Sequence, residues 1–132
     1  MEVYGFRQLV VWQVGMELNV EVYRLVRKLP PSERFGLADQ LRRASTSITA
    51  NIAEGSGRDH LGEYLRFLSI ARGSLMELDN HLELSERLGY LNRNDLTRAV
   101  ALLSRVRRLL SGLTHSLRSP EPETRHPKPP TE

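Results

Sequence analysis

The sequence predicts an all-α protein, an antiparallel up-down-up-down four-helix bundle, and three observations carry that prediction. Apolar residues recur at spacings of three and four through four separate stretches, which places them on one face of a helix with 3.6 residues per turn. The breaks between stretches are a few residues long and contain proline, glycine or asparagine, so successive helices must double back on one another. No stretch shows the strict alternation of a half-buried strand.

The first helix is expected from about Arg7 to Lys28, with Val11, Val14, Leu18, Val22, Leu25 and Leu29 on one stripe and Trp12, Met16, Tyr23 and Val26 widening it. Pro30 and Pro31 stop it, because proline has no amide hydrogen and disfavours helix in the residue before it. Ser32 is a candidate cap for a short turn over Glu33, Arg34 and Phe35. The second helix is expected from Leu37 to Glu54, carrying Leu37, Leu41, Ala44, Ile48 and Ile52 and ended by Gly55 and Gly57. Its run from Ala44 to Ala53 is rich in small and β-branched residues, poor for helix propensity and good for close backbone approach. The third, from about Asp59 to Leu88, repeats Leu61, Tyr64, Leu68, Ala71, Leu75, Leu78, Leu82 and Ser85, with Asp59 as N-cap and Gly89 as C-terminal stop. Gly73 and Ser74 interrupt it, and either a tightly packed neighbour, the expected reason, or a ligand compensates the glycine. The fourth, from about Arg93 to Leu117, repeats Leu96, Ala99, Leu103, Val106, Leu110, Leu113 and Leu117, capped by Asn92 or Asn94.

These helices make one bundle domain over residues 1–118. Residues 119–132 read as a disordered proline-rich tail, since they hold five of the seven prolines and no aliphatic or aromatic anchor. A chain of 132 residues without cysteine has no thiolate nucleophile, zinc thiolate or disulfide, which points to a reducing cytoplasm. No segment reaches the roughly eighteen uninterrupted apolar residues of a membrane span. The net charge of +3 accompanies seventeen arginines and only two lysines, Lys28 and Lys128. That balance suits an anionic partner, and a GC-rich genome produces the same enrichment.

Val11-Trp12-Gln13, Glu33-Arg34-Phe35-Gly36-Leu37, Gln40-Leu41-Arg42-Arg43-Ala44 and Ser47-Ile48-Thr49-Ala50-Asn51-Ile52-Ala53-Glu54-Gly55 carry a resemblance. Tyr64-Leu65-Arg66-Phe67-Leu68, the run from Ile70 to Leu78 and Leu88-Gly89-Tyr90 continue it in order. In these motifs the chain resembles the four-helix bundle proteins encoded in bacterial 23S rRNA intervening sequences, also called the S23 ribosomal protein family. The resemblance spans roughly Phe6 to Leu117. It implies a cytosolic, non-enzymatic bundle that assembles into a homopentamer with a central opening. More distantly the chain is similar to the accessory variability protein of diversity-generating retroelements, a pentamer implicated in binding nucleic acid and a reverse transcriptase. Ser45 departs from the family pattern, in which alanine is common, and makes the local packing more polar.

The candidate nucleic-acid-binding residues are Arg42, Arg43, Arg58, Arg66 and Arg72, with RNA or DNA, the ribosome or another protein as the expected partner beside self-association. Arg42 and Arg43 lie about 100° apart on their helix and serve jointly as a basic ridge, which a pentamer repeats. The alternative is that they pair with Asp39, Glu54 or a neighbouring subunit's carboxylate and hold the assembly together. Arg105, Arg107, Arg108 and Arg118 form a second cluster that reads as a solvated face. Trp12, Tyr23, Tyr64 and Phe67 fall on apolar faces, leaving Tyr4, Phe6 and Tyr90 as candidates for stacking on bases. Asn51 and Glu54 suit a hydrogen-bonding or intersubunit role, and Gly55-Ser56-Gly57-Arg58 either presents amides to a phosphate or merely connects two helices.

No enzyme signature accompanies this pattern. Di-iron bundles require two Glu-x-x-His pairs with two further carboxylates, whereas His81 follows Glu77 by four and His60 precedes Glu63 by three. Ser45, Ser47 and Thr49 have no lysine or histidine nearby in sequence to activate them. The sequence therefore implies no catalytic residue, cofactor or metal.

Overall fold

The computed structural model describes residues 5–119, so Tyr4 and all of the expected tail beyond Ser119 lie outside the described residues. A short 3₁₀ turn, Phe6–Gln8, leads into α1 (Val10–Val26), and a second one, Pro31–Glu33, precedes α2 (Leu37–Ser56). The chain then forms α3 (Leu61–Arg87) and α4 (Arg93–Arg118). Each helix packs against the next, and α4 closes the ring on α1, as short connections between antiparallel neighbours require. The four helices form an all-α bundle, as the spacing predicts.

The stripes read from the sequence are the core. Val11, Val14, Leu18, Val22 and Leu25 of α1 face Leu41, Ala44, Ile48 and Ile52 of α2, Leu68, Ala71, Leu75, Leu78 and Leu82 of α3, and Leu96, Ala99, Leu103, Val106 and Leu110 of α4, all buried in one cluster. Removing each large aliphatic side chain from water contributes roughly 1.5–3 kcal/mol, enough to make individually marginal helices cooperative. The α1 stripe is narrower than expected. Met16 and Tyr23 are exposed, while Trp12 and Val26 pack against the edge of the core.

Two close approaches set the position of α2. Against α1, a Cβ on Gly15 would stand 2.7 Å from Thr49 Cγ2, so only glycine lets the helices meet there. The same seam holds a buried polar set. Asn19 Nδ2 donates to Thr49 Oγ1 at 2.9 Å, and Ser45 Oγ donates to Asn19 Oδ1. Ser45 thus supplies a hydrogen bond that alanine cannot. Against α3, a Cβ on Gly55 would stand 2.8 Å from Phe67 Cβ. Gly55 accordingly does not end α2, which runs on to Ser56 with Gly55 buried inside it. Elsewhere along the seam Ser47 and Ser74 share a hydrogen bond of 2.8 Å.

Carboxylates organise one end of the bundle. Glu33 Oε1 accepts from the Leu37 amide at 3.0 Å, satisfying a donor at the start of α2, while Oε2 accepts from the Tyr90 hydroxyl at 2.8 Å. The connection before α2 is thereby tied to the one between α3 and α4. Gly89 allows the latter its turn, with φ at +83°. Asn92 and Asp95 form a reciprocal capping box at α4, with bonds of 2.8 and 2.9 Å, and Lys28 Nζ reaches Asp95 Oδ1 at 3.2 Å from the end of α1. Two expected caps are replaced. His60, in extended conformation, precedes α3 in place of Asp59, and Pro30 rather than Ser32 opens the short turn.

The amide of Leu37, followed by the Tyr90 hydroxyl, holds the Glu33 carboxyl below its ordinary range; the amide of Asn92, followed by Lys28, does the same for Asp95. Carboxylates depressed in the folded state contribute stability that is complete above their unfolded pKa and lost as pH falls through the folded value. Glu33→Ala is therefore expected to lower the melting temperature at neutral pH and to flatten its decline on acidification, the two melting curves converging at low pH by circular dichroism. At the α1–α2 seam, Gly15→Ala is expected to destabilise by about 1–3 kcal/mol despite alanine's better helix propensity. Adding Thr49→Ser, which removes Cγ2 and keeps the hydroxyl for Asn19, should restore most of that stability in urea denaturation.

Candidate nucleic-acid interface

The arginines picked out by sequence fall into two groups once their carboxylate neighbours are in place. Arg43 Nε donates to Asp39 Oδ2 at 2.9 Å, and Arg42 lies 3.7 Å from Asp39 Oδ1 while donating to the Arg34 carbonyl at 3.3 Å. Arg58 pairs with Glu54 and lies 3.9 Å from Glu63. These three side chains already have anions, although an exposed pair is weak and exchanges readily. Arg66 instead lies over the Phe67 ring at 4.8 Å, and Arg72 is exposed with no ion-pair partner among the described residues.

A further set belongs with the second group. On α4, Arg105, Arg107 and Arg118 are exposed and without a carboxylate among the described residues, and Arg108 bonds Ser104 Oγ, at 2.8 Å. The helix register joins α3 and α4 here. From the Glu86–Arg93 pair at 3.2 Å, fourteen residues along each antiparallel helix lead to Arg72 and Arg107, which stand level on adjacent helices. Sequence spacing alone treats these α4 residues as a solvated face, because the pairing state that separates them from Arg42 and Arg43 depends on where Asp39 and the α3 acids fold.

Charge is consequently segregated along the bundle. Among the described residues, eight arginines (Arg7, Arg58, Arg66, Arg72, Arg105, Arg107, Arg108 and Arg118) stand from mid-bundle to the end that holds the α2–α3 connection, against Glu54, Asp59 and Glu63. The other half, among the described residues, has nine basic and nine acidic residues, so its charges cancel. The last amides of the Gly55-Ser56-Gly57-Arg58 run are not free to serve this basic end. The Gly57 and Arg58 amides donate to the carbonyls of Glu54 and Gly55 at 3.3 and 3.0 Å, so the connection only joins two helices. Asn51 is likewise engaged, its Nδ2 donating to the Ser47 carbonyl at 2.8 Å.

Aromatic side chains occur in both halves. Phe6 packs edge-on to Trp12 with ring centres 5.1 Å apart, and Tyr90 is held by Glu33. The most exposed aromatic among the described residues is Phe35, at 84 % of its surface, beside a groove lined by Asp39, Arg43, Ala50 and Glu77 in the other half of the molecule. Gly73 opens outward on α3, with nothing within 4 Å of the Cβ it lacks, so the expected tight packing at this glycine is absent. The ring nitrogens of His81 have no hydrogen-bond partner among the described residues, and Glu77 stands 3.6 Å away. Among the described residues no three histidine, aspartate or glutamate side chains are grouped to hold a metal ion.

The model of one family, the 23S rRNA-intervening sequence proteins, matches residues 7–112. The chain belongs to this family. No curated protein matches it. Among solved structures it is similar to a protein of unknown function from the S23 ribosomal protein family of Bacteroides thetaiotaomicron, solved at 1.70 Å, with 26 % identity and a TM-score of 0.73. The similarity covers 79 % of this chain and 97 % of the other. The matched region of the 23S rRNA-intervening sequence family thus contains the whole core and most of the basic end, including Arg66, Arg72, Arg105, Arg107 and Arg108, while Arg118 lies beyond it. No described helix is long and apolar enough to cross a membrane. At the outward-facing Gly73, Gly73→Ala is expected to stabilise the chain by roughly 0.5–1 kcal/mol, as in any exposed helix interior, measured by urea denaturation.

Proposed function

We propose that this chain is a non-enzymatic, cytoplasmic nucleic-acid-binding protein that acts as a homopentamer, free or on the ribosome, and engages RNA through its basic end. The segregation of charge carries the reading. Unpaired guanidinium groups in one half of a folded domain attract phosphates without first breaking internal ion pairs, and they bind phosphate oxygens in bidentate geometry. Repetition by self-association multiplies the contacts available to one polyanion. Two observations support self-association: Phe35 stands almost wholly in water, and Ile70 and Met76 are exposed on α3 near the outward Gly73. The hydroxyls of the α2 serine and threonine run are already bonded to Asn19, Asn51, Ser74 and helix carbonyls, which supports a binding rather than a hydrolytic role.

Titration of a structured rRNA fragment at several salt concentrations tests the binding half of this reading. Affinity is expected to fall linearly on a log–log plot, and Arg72→Ala with Arg107→Ala to weaken binding roughly tenfold and reduce the slope by about 0.9 for each phosphate that is no longer neutralised. Arg42→Ala with Arg43→Ala should have the smaller effect, since Asp39 already occupies both side chains. Binding that is independent of salt, or abolished equally in the two folded variants, would refute the assignment to the basic end. Light scattering tests the assembly, with a mass five times the 15.1 kDa of one chain expected.

A further inference from the structure

We infer that the ligand of the basic end is double-helical nucleic acid, held by its phosphate backbone without reading of bases. The inference rests on the proposal of nucleic-acid binding above and names the class of ligand. Proteins that hold single strands combine a charged groove with aromatic side chains on which successive bases stack. At the basic end these features are not combined. Arg72, Arg105, Arg107 and Arg118, without ion pairs among the described residues, stand on α3 and α4 with no exposed aromatic beside them, whereas the exposed Phe35 lies in the other half, with Arg34 over its ring and beside a groove that Arg43 lines.

The aromatic rings at the basic end are committed elsewhere. Phe67 is half-buried, with Arg58 and Arg66 guanidinium groups over its ring at 5.0 and 4.8 Å, and Trp12 is half-buried and packed against the core and Phe6. A base cannot stack on a face that a guanidinium already covers. The amide side chains that read adenine are also missing from this part of α4, where serine, threonine and histidine accompany the arginines and no asparagine or glutamine occurs beyond Asn94. What remains is the outer surface of two long helices. Arg105 and Arg118 are thirteen residues apart on one of them, a fixed span of about 20 Å. A rigid array of cations favours a ligand whose phosphates are already regularly spaced, because a flexible strand loses conformational freedom in matching it.

The experiment compares the full chain's affinity for an RNA hairpin, a DNA duplex and an unpaired oligonucleotide with equal numbers of phosphates, each in two unrelated sequences, at fixed salt. The hairpin or the duplex is expected to bind about tenfold or more tightly than the unpaired strand, with the two sequences of each alike. Arg72→Ala with Arg107→Ala, checked for unchanged helical circular dichroism, should remove most of that preference. Equal or tighter binding of the unpaired strand, or strong discrimination between the two duplex sequences, overturns this inference and leaves nucleic-acid binding intact. Failure to bind any of the three at low salt, or preferential retention on phosphatidylserine vesicles, overturns both.

Discussion

The closeness of α2 to its two neighbours is the constraint on which the bundle depends. Gly15 admits Thr49 on one side, and Gly55 admits Phe67 and Tyr64 on the other. Any side chain at either glycine would push helices apart along a length of core that is filled by leucine, isoleucine and valine. The buried set of Asn19, Ser45 and Thr49 then makes that approach specific. These groups are satisfied only when the α1–α2 register is correct, whereas a leucine seam tolerates sliding. A helix of mediocre intrinsic propensity is thus held by its neighbours rather than by its own sequence.

Much of this architecture is legible in the sequence. Leu18, Leu41, Leu75 and Val106 lie on stripes whose period is a property of the helix itself, so their burial follows from spacing. Positions whose role depends on a second helix are harder. Gly55 looks like a terminator in sequence because glycine usually is one, and only the approach of Phe67 explains why it lies inside α2. Gly73 presents the reverse case, a glycine whose interior position suggests packing and whose surroundings are open. Glu33 is visible only as part of a motif, since its partners are Leu37, one turn on, and Tyr90, fifty-seven residues on.

The same distinction governs the basic residues. Arg42 and Arg43 are adjacent and conspicuous, and local helix geometry also supplies Asp39 one turn away, so the conspicuous ridge is the one whose two cations already share a carboxylate. Arg72 and Arg107 are inconspicuous singly. Their juxtaposition requires two helices, a short connection and the register fixed near Glu86 and Arg93. Isolated ion pairs at a surface are weak, so the contrast concerns which cations begin with an anion at hand rather than which contribute to folding.

The division of charge between its two ends gives the described bundle an electric dipole lying along its helices, in addition to net charge. A polyanion therefore exerts a torque on the molecule before contact and turns the basic end toward itself during approach. Symmetry decides what an assembly does with that vector. Cyclic packing about an axis parallel to the helices adds the dipoles and yields a disc with one polar face, whereas two-fold axes across the helices cancel them and leave both faces alike.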